Sequence, residues 1–419
     1  MSRMHSAIEI QVRSNLSSQE VVVVKNPIVS GFKTQVLRFL MRLHLIKIAA
    51  KAYNNPIDWL RAFRYLIALR RRFLGNYKLK KIVKVRNRFY MGIYIPAWFS
   101  SGFEDFVLSE LNTYKKVSPK VKRFNIVYLA ITSKCPMQCE HCYEWDRLNQ
   151  KDKLTIDRMD EIIGKIVQMG TNQIHFTGGE PLMKFEKLIH AIQRVPNSIA
   201  SWVTTSGYSL TYDKAVQLKH AGLTGIIVSL DHYEENKHNA FRNHDDAYYW
   251  ALKAVKNSWK SGLVVALSIC ITRDFANEID LINYLQLAKE LGVSFVQFLE
   301  PKPIGHYKDK DVVLNKKELK LLESFFLNLN YNPKYHDFPV INYHGFYQRR
   351  VGCQSAGLQS VYIDADGGLN ACPFCQKKWG NILDDQFEAQ LDALTSSGCS
   401  SFKNIFKNKK LLSPAEVNN

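Results

Sequence analysis

Acidic residues are scarce at the start of this 419-residue chain: residues 1–123 hold 6 Asp and Glu against 24 Lys and Arg, whereas residues 124–419 hold 32 against 33. The net charge of +19 is therefore concentrated before a boundary near residue 123. A long unbroken apolar run is also missing. The most apolar N-terminal stretch, residues 35–50, is interrupted by Arg38, Arg42 and Lys47, which argues against a membrane-spanning helix. Residues 1–30 lack a cleavable apolar core flanked by small residues, so no secretory signal is read and a cytoplasmic location is expected. In that setting the 8 cysteines favour metal over a disulfide framework. No nucleic-acid motif or stacking signature accompanies the basic charge, so no nucleic-acid partner is expected.

Seven cysteines fall into two groups, residues 135–142 and 353–399, while Cys270 stands alone in an apolar strand and reads as a small buried hydrophobe. In the first group, ITSKCPMQCEHCYEW places Cys135, Cys139 and Cys142 at intervals of four and three. Such intervals share one helix face, but Pro136 disfavours helical backbone at Cys135. The preceding FNIVYLAIT reads as a buried strand, so the cysteines are placed on the loop that leaves it. A fourth thiol is lacking there. Structural zinc sites usually pair two short C-x2-4-C knuckles, and this spacing fits them poorly even with His141 as a further ligand. A [4Fe-4S] cluster on three thiolates leaves one iron open to a substrate or cofactor.

After residue 124, the runs IVYLAIT, QIHFTGG, SWVTTSG, GIIVSLD, VVALSICIT and SFVQFLEP alternate with helical patterns. One such pattern carries Met159, Ile162, Ile163, Ile166 and Val167 on a single face, between Thr155 and Gly170 as caps. Strands alternating with helices predict an α/β fold with a parallel sheet and helices outside; an open sheet and a barrel both satisfy the pattern. Chemistry is expected at the C-terminal ends of the strands, where Thr177 to Leu182 (TGGEPL), Thr204 to Gly207 (TTSG) and VSLD ending at Asp231 lie. Asp231 also suits a helix N-cap or turn. Before residue 123, two helical patterns flank NNP, and KIVKV and RFYMGIYIP read as a hairpin around Arg86 and Asn87.

C-x3-C-x2-C followed by Tyr143, with GGEP beginning 36 residues after Cys142, resembles the radical S-adenosylmethionine (SAM) superfamily. The resemblance implies a partial (β/α)6 TIM-like barrel and a catalytic [4Fe-4S] cluster on Cys135, Cys139 and Cys142. It places SAM near Tyr143, Gly178, Gly179, Glu180, Pro181, Ser206, Ser229, Asp231 and Arg242. Ser206 stands where that family often has Asn.

In the second group, 18, 2 and 23 residues separate Cys353, Cys372, Cys375 and Cys399. Zinc remains open on this spacing. The segment from Gly352 to Cys375, with Gly-Asn following, resembles the C-terminal extension of SPASM or twitch proteins, which implies one auxiliary [4Fe-4S] cluster and leaves open whether Cys399 ligates it. DADGG is read as a hairpin turn rather than a calcium loop, because Cys375 occupies the position that needs a bidentate Glu.

The expected organisation is a basic N-terminal region (1–123, two amphipathic helices and a hairpin), a radical SAM partial barrel (124–330) and a small cysteine-rich auxiliary domain (331–419). By resemblance, the activity is reductive SAM cleavage followed by hydrogen abstraction from a peptide or protein, with an electron donor of flavodoxin or ferredoxin type. One alternative is a small-molecule or lipid-linked substrate at a membrane, with peripheral contact at its inner face through residues 1–123. Another is a non-catalytic iron–sulfur or zinc protein for electron transfer or assembly.

Overall fold

The computed structural model describes residues 27–117 and 123–399; most of the polar start and the tail after Cys399 lie outside the described residues. Helices Gly31–Ala52 and Pro56–Leu74 occupy the two periodic stretches of the N-terminal region. The break between them serves as a cap: Asn55 accepts a hydrogen bond from Ile57 N, and Pro56 takes the first helical position, where its missing N–H costs nothing. Strands β1 (Ile28–Val29), β2 (Ile82–Val85) and β3 (Arg88–Tyr90) form a small antiparallel sheet. Arg86 and Asn87 turn the β2–β3 hairpin, and Arg86 takes the positive φ of 51° that a two-residue turn favours. A helix at Ser101–Tyr114, absent from the expectations above, starts on the Ser100 side chain, which accepts from Phe103 N.

The six apolar runs become β4 (Phe124–Thr132), β5 (Thr171–Gly178), β6 (Ala200–Thr205), β7 (Gly225–Ser229), β8 (Val264–Cys270) and β9 (Phe295–Leu299). A seventh, β10 (Val340–Tyr343), follows, and all seven are parallel neighbours in chain order. On the other side of β4 lies β11 (Ser360–Ile363), parallel to it, and then the antiparallel hairpin β12 (Gly368–Cys372) and β13 (Cys375–Asn381). In this ten-stranded sheet β10 and β13 are the two ends, so it is a partial barrel rather than a closed one. The expected boundary at 330/331 falls inside this sheet, since β10 to β13 continue it on both sides.

Helices cover the outer face. Ile162, Ile163 and Ile166 of helix Ile156–Met169 pack into the same core as Val127 and Leu129 of β4 and Ile174 and Phe176 of β5, the apolar stripe read from the sequence. Inside, the N-terminal ends of the strands are plugged by the N-terminal region. Val83, Tyr90, Ile93 and Ala97 pack against Trp202, Ile227, Val264 and Phe295. Gly225 opens β7 because a Cβ there would meet the Trp202 ring at 2.5 Å. Tyr94 penetrates further, bonded to Gln297 of β9 and stacked on His175 of β5 at 6.3 Å.

Lys81 fastens this plug to the barrel. Its buried ammonium donates to the carbonyls of Leu329 (2.8 Å), Phe338 (3.1 Å), Pro339 (3.1 Å) and Tyr335 (3.4 Å). Replacing it by Met keeps the apolar stem but strands acceptors in a dry setting, each at a cost of about 1–3 kcal/mol. Lys81→Met is expected to lower the denaturation midpoint clearly, whereas Lys80→Met at the neighbouring exposed position should leave it in place; equal midpoints would refute the anchoring role.

Candidate functional site

The loop after β4 carries the first cysteine group, and it is a loop rather than a helix, as Pro136 requires. Asn149 clamps its start by a reciprocal pair: Cys135 N donates to Asn149 Oδ1 (2.9 Å) and Asn149 Nδ2 donates to Cys135 O (3.1 Å). Asp152 accepts from Thr132 Oγ1 (2.6 Å) and Ser133 N (2.9 Å), fixing the two residues that lead out of the strand. The far end is held by a turn after β9. His306 N donates to Cys142 O (3.0 Å), His306 Nδ1 lies 2.9 Å from Cys139 O, and the His306 ring stacks on Trp145 at 3.7 Å. Gly305 lies so close that a Cβ would overlap the Cys142 carbonyl.

The GGEP loop after β5 is joined to the cysteine loop backbone to backbone. Gly179 N donates to Thr132 O (2.8 Å) and Glu180 N to Lys134 O (2.7 Å). A Cβ on Gly178 would overlap Thr132 O, and one on Gly179 would overlap Lys134 O. The two glycines are thus required by the neighbouring loop, whatever else they approach. The buried Glu180 carboxylate accepts from Leu182 N (3.0 Å), Thr205 Oγ1 (2.7 Å), Ser206 N (2.7 Å) and Ser206 Oγ (2.5 Å). Burial raises its pKa against these donors. Its acceptor sites are then filled by Leu182 N and the TTSG segment, so another donor reaching Glu180 has to displace one of them.

Asp231 and Arg242 form a buried ion pair. Burial raises the Asp231 pKa most strongly, but the Arg242, His141 and His238 charges and the hydrogen bond from Cys270 together outweigh it and hold the carboxyl below its usual range. Asp231 also accepts from Cys270 N (2.9 Å), and its own N donates to His238 Nδ1 (3.0 Å). Arg242 Nη1 donates in turn to Cys139 Sγ (3.5 Å). Burial pushes all three thiols of this group up, Cys142 to about 12, so thiolates here need compensating positive charge. Tyr143 donates or accepts with Thr177 Oγ1 at 3.1 Å, Pro181 is buried at the start of a short turn of 3-10 helix, and Ser229 is half-buried at the end of β7. The Gly305 turn, His306, Asn149, Asp152 and Thr205 were not singled out from the sequence. Only the glycine after a strand offered a signal.

The second group is brought together from three elements. Cys372 and Cys375 face each other across the β12–β13 turn, Cys353 follows helix His344–Val351 and Cys399 follows helix Phe387–Ser397. Cys399 interacts with both Cys353 and Cys375, and Cys353 with Cys372. The Cys372 thiol lowers Cys375 to about 7 by hydrogen bonding, against the effect of burial. Among the described residues no group of three or more His, Cys, Asp and Glu side chains is already drawn around a single point. The DADGG segment is the hairpin turn expected: Asp364 accepts from Asp366 N (2.9 Å) and Gly368 N (2.8 Å). The groups meet through Tyr143, whose ring lies edge-on to Phe374 at 6.1 Å. A cavity of about 330 Å³ lined by Glu110, Asn125, Asn172 and Gln359 opens at the start of β4 and β5, the ends remote from both groups.

The family model described as Radical SAM superfamily matches residues 129–288. A GTP 3',8-cyclase of Clostridium botulinum (strain Hall) is 29% identical over 198 residues, covering 45% of this chain and 61% of that protein. The chain therefore matches less than two thirds of that relative. A GTP 3',8-cyclase of Clostridium perfringens (strain 13) is 29% identical over 268 residues, covering 60% and 81%. Among solved structures, Streptococcus suis SuiB bound to precursor peptide SuiA aligns with a TM-score of 0.55 at 12% identity, covering 70% of each chain. Native anSMEcpe with bound AdoMet aligns with a TM-score of 0.50 at 17% identity, covering 65% of this chain and 82% of that one. At these identities the structural likeness is one of fold.

The seam between the two loops predicts opposite signs for two similar substitutions. Gly179→Ala forces a methyl group into the Lys134 carbonyl and should lower the melting temperature by several degrees, equivalent to about 1–3 kcal/mol. Gly164→Ala, mid-helix with nothing within 4 Å of the added carbon, should raise it by about 0.5–1 kcal/mol. Thermal unfolding of the two variants side by side checks the pair.

Proposed function

We propose that the chain, whose residues 129–288 match the Radical SAM superfamily model, holds a [4Fe-4S] cluster on Cys135, Cys139 and Cys142, binds SAM beside it and modifies a peptide or protein substrate. The observation that carries this reading is a loop with three thiols, one buried and two half-buried, and no fourth, fastened to a GGEP loop and flanked by the Arg242 guanidinium. The donor set fits: the thiols give up their protons only to a strongly positive group, which clustered iron provides. When bound, the cluster and SAM supply a one-electron cleavage to methionine and a 5′-deoxyadenosyl radical, which removes hydrogen from an unactivated carbon.

The chain's own part is positioning and exclusion of water. Asn149, Asp152 and His306 hold the cysteine loop at both ends. Arg242 offsets negative charge at Cys139 and is held on target by Asp231. Glu180 is set by Thr205 and Ser206. The N-terminal plug closes the opposite end of the barrel, so substrate enters at the cysteine end.

Cys353, Cys372, Cys375 and Cys399 hold a second [4Fe-4S] cluster. With four thiols adjacent, no iron is left open, which favours electron acceptance from the substrate or its orientation over direct ligation. An electron donor of flavodoxin or ferredoxin type completes the cycle. A peptide substrate is supported by the likeness in fold to SuiB with its precursor peptide. A second reading, a purine nucleotide substrate, is favoured by the name of the sequence relatives, GTP 3',8-cyclase.

Anaerobic reconstitution with iron and sulfide tests both sites together. The wild type should carry about eight irons per chain and form 5′-deoxyadenosine from SAM after dithionite reduction. The triple variant Cys135→Ala, Cys139→Ala, Cys142→Ala should keep about four irons and form none, Cys399→Ser should lose iron from the second group, and Cys270→Ser should match the wild type. Loss of all iron from the triple variant would remove the second cluster from the proposal, and zinc retained there would replace it. Consumption of GTP in the same assay would favour the nucleotide reading over the peptide one.

A further inference from the structure

Helix Gly31–Ala52 is apolar on two faces. Leu37, Met41, Leu45, Ile48 and Ala49 pack into the core shared with helices Pro56–Leu74 and Ser101–Tyr114. Phe32, Val36, Phe39, Leu40 and Leu43 recur at helical spacing on the other side and are between 41% and 77% exposed. A helix apolar all round is normally covered on every side, and a contiguous exposed stripe marks an interaction surface. Isolated exposed apolar residues would need no such explanation. Here five of them align within three turns.

The chemistry around the stripe restricts what can cover it. Lys33, Arg42 and Lys47 are exposed on the same helix, with no acidic residue in it. Arg38 and Arg42 lie near enough to Arg70 of the next helix for their charges to act on it. Ile57, Leu60, Arg61 and Arg64 repeat the combination at the start of that helix. No helix among the described residues is long and apolar enough to cross a membrane. An apolar strip bordered by Lys and Arg, on a helix that cannot span, suits the headgroup boundary of an anionic lipid layer, where side chains of the strip enter the acyl region and the cations meet phosphates.

We propose that the outward face of helix Gly31–Ala52, with the basic residues beside it, seats the protein on an anionic lipid bilayer. This stands independently of the cluster chemistry, since none of these residues touches either cysteine group. It also gives a purpose to the concentration of positive charge before residue 124 that the barrel itself does not use.

The test is co-sedimentation of the full chain with vesicles of phosphatidylcholine alone and of phosphatidylcholine mixed with phosphatidylglycerol. Binding is expected to the mixed vesicles only and to weaken as salt is raised. Phe39→Asp with Leu43→Asp should abolish it, and Arg38→Gln with Arg42→Gln should reduce it by about five-fold for each arginine removed, both without change in the unfolding midpoint. Failure of the wild type to sediment with mixed vesicles would overturn the proposal, as would equal binding to neutral ones. A wild-type dimer in light scattering that becomes monomeric in the Phe39→Asp, Leu43→Asp variant, with no vesicle binding, would overturn it in favour of a second copy of this chain.

Discussion

The loops that leave β4 and β5 touch main chain to main chain, through Gly179 N to Thr132 O and Glu180 N to Lys134 O. Each bond contributes only about 1 kcal/mol net, yet the approach sets the position of everything at the mouth of the barrel. Cys135 is the residue after Lys134, so its place relative to Glu180 is fixed through a single peptide. The Glu180 side chain then turns to β6 and is consumed by Thr205 and Ser206. Three consecutive strand ends are thereby tied in sequence, and a side chain on either glycine would separate the first two.

Charge is arranged with the same economy. A buried ion pair gains little over an apolar substitute unless further hydrogen bonds satisfy its members. The Asp231–Arg242 pair has part of them, in Cys270 N on one side and the Cys139 sulfur on the other, while the buried Arg242 Nε has no hydrogen-bond partner among the described residues. Several residues that family resemblance places around SAM, namely Glu180, Ser206, Asp231 and Arg242, here make contacts with one another or with a thiol. They form a frame around the site. The frame extends to the second cysteine group through Glu144, Arg147 and Asp364, where Tyr362 donates to Glu144 (2.5 Å) and Arg147 pairs with both carboxylates.

The basic N-terminal region has two unlike parts. Its hairpin and the segment to Ala97 fill the barrel from below, so they belong to the same folded unit as the strands. Its helices pack on each other and on helix Ser101–Tyr114, leaving one apolar face outward. Composition alone treats both as one basic segment. Lys81 illustrates the difference: one of 24 basic residues before position 124, it is buried among carbonyls as a fastening while its neighbour Lys80 is exposed.

Six strands, the helix stripe from Met159 to Ile166, the hairpin at Arg86 and Asn87 and the loop position of Cys135, Cys139 and Cys142 were legible because each rests on local pattern: apolar period, a proline after a cysteine, or a turn pair. Strand β10 was missed as a short run of four residues, and helix Ser101–Tyr114 was passed over although Phe103, Phe106, Val107 and Leu111 form an apolar stripe after the Ser100 cap. The cysteine spacings picked out the seven thiols that are proposed to hold clusters. They could not decide whether Cys399, 24 residues beyond Cys375, comes back to the others; only the packing of helix Phe387–Ser397 against β13 returns it. Likewise Asn149, Asp152 and His306 carry no signature, because their roles depend on which loop faces which. Sequence determined the strands, the thiols and the charge imbalance, since those follow from residue type and short-range order. Tertiary structure decided which polar groups are spent on one another, because long-range closure alone brings their hydrogen bonds within reach.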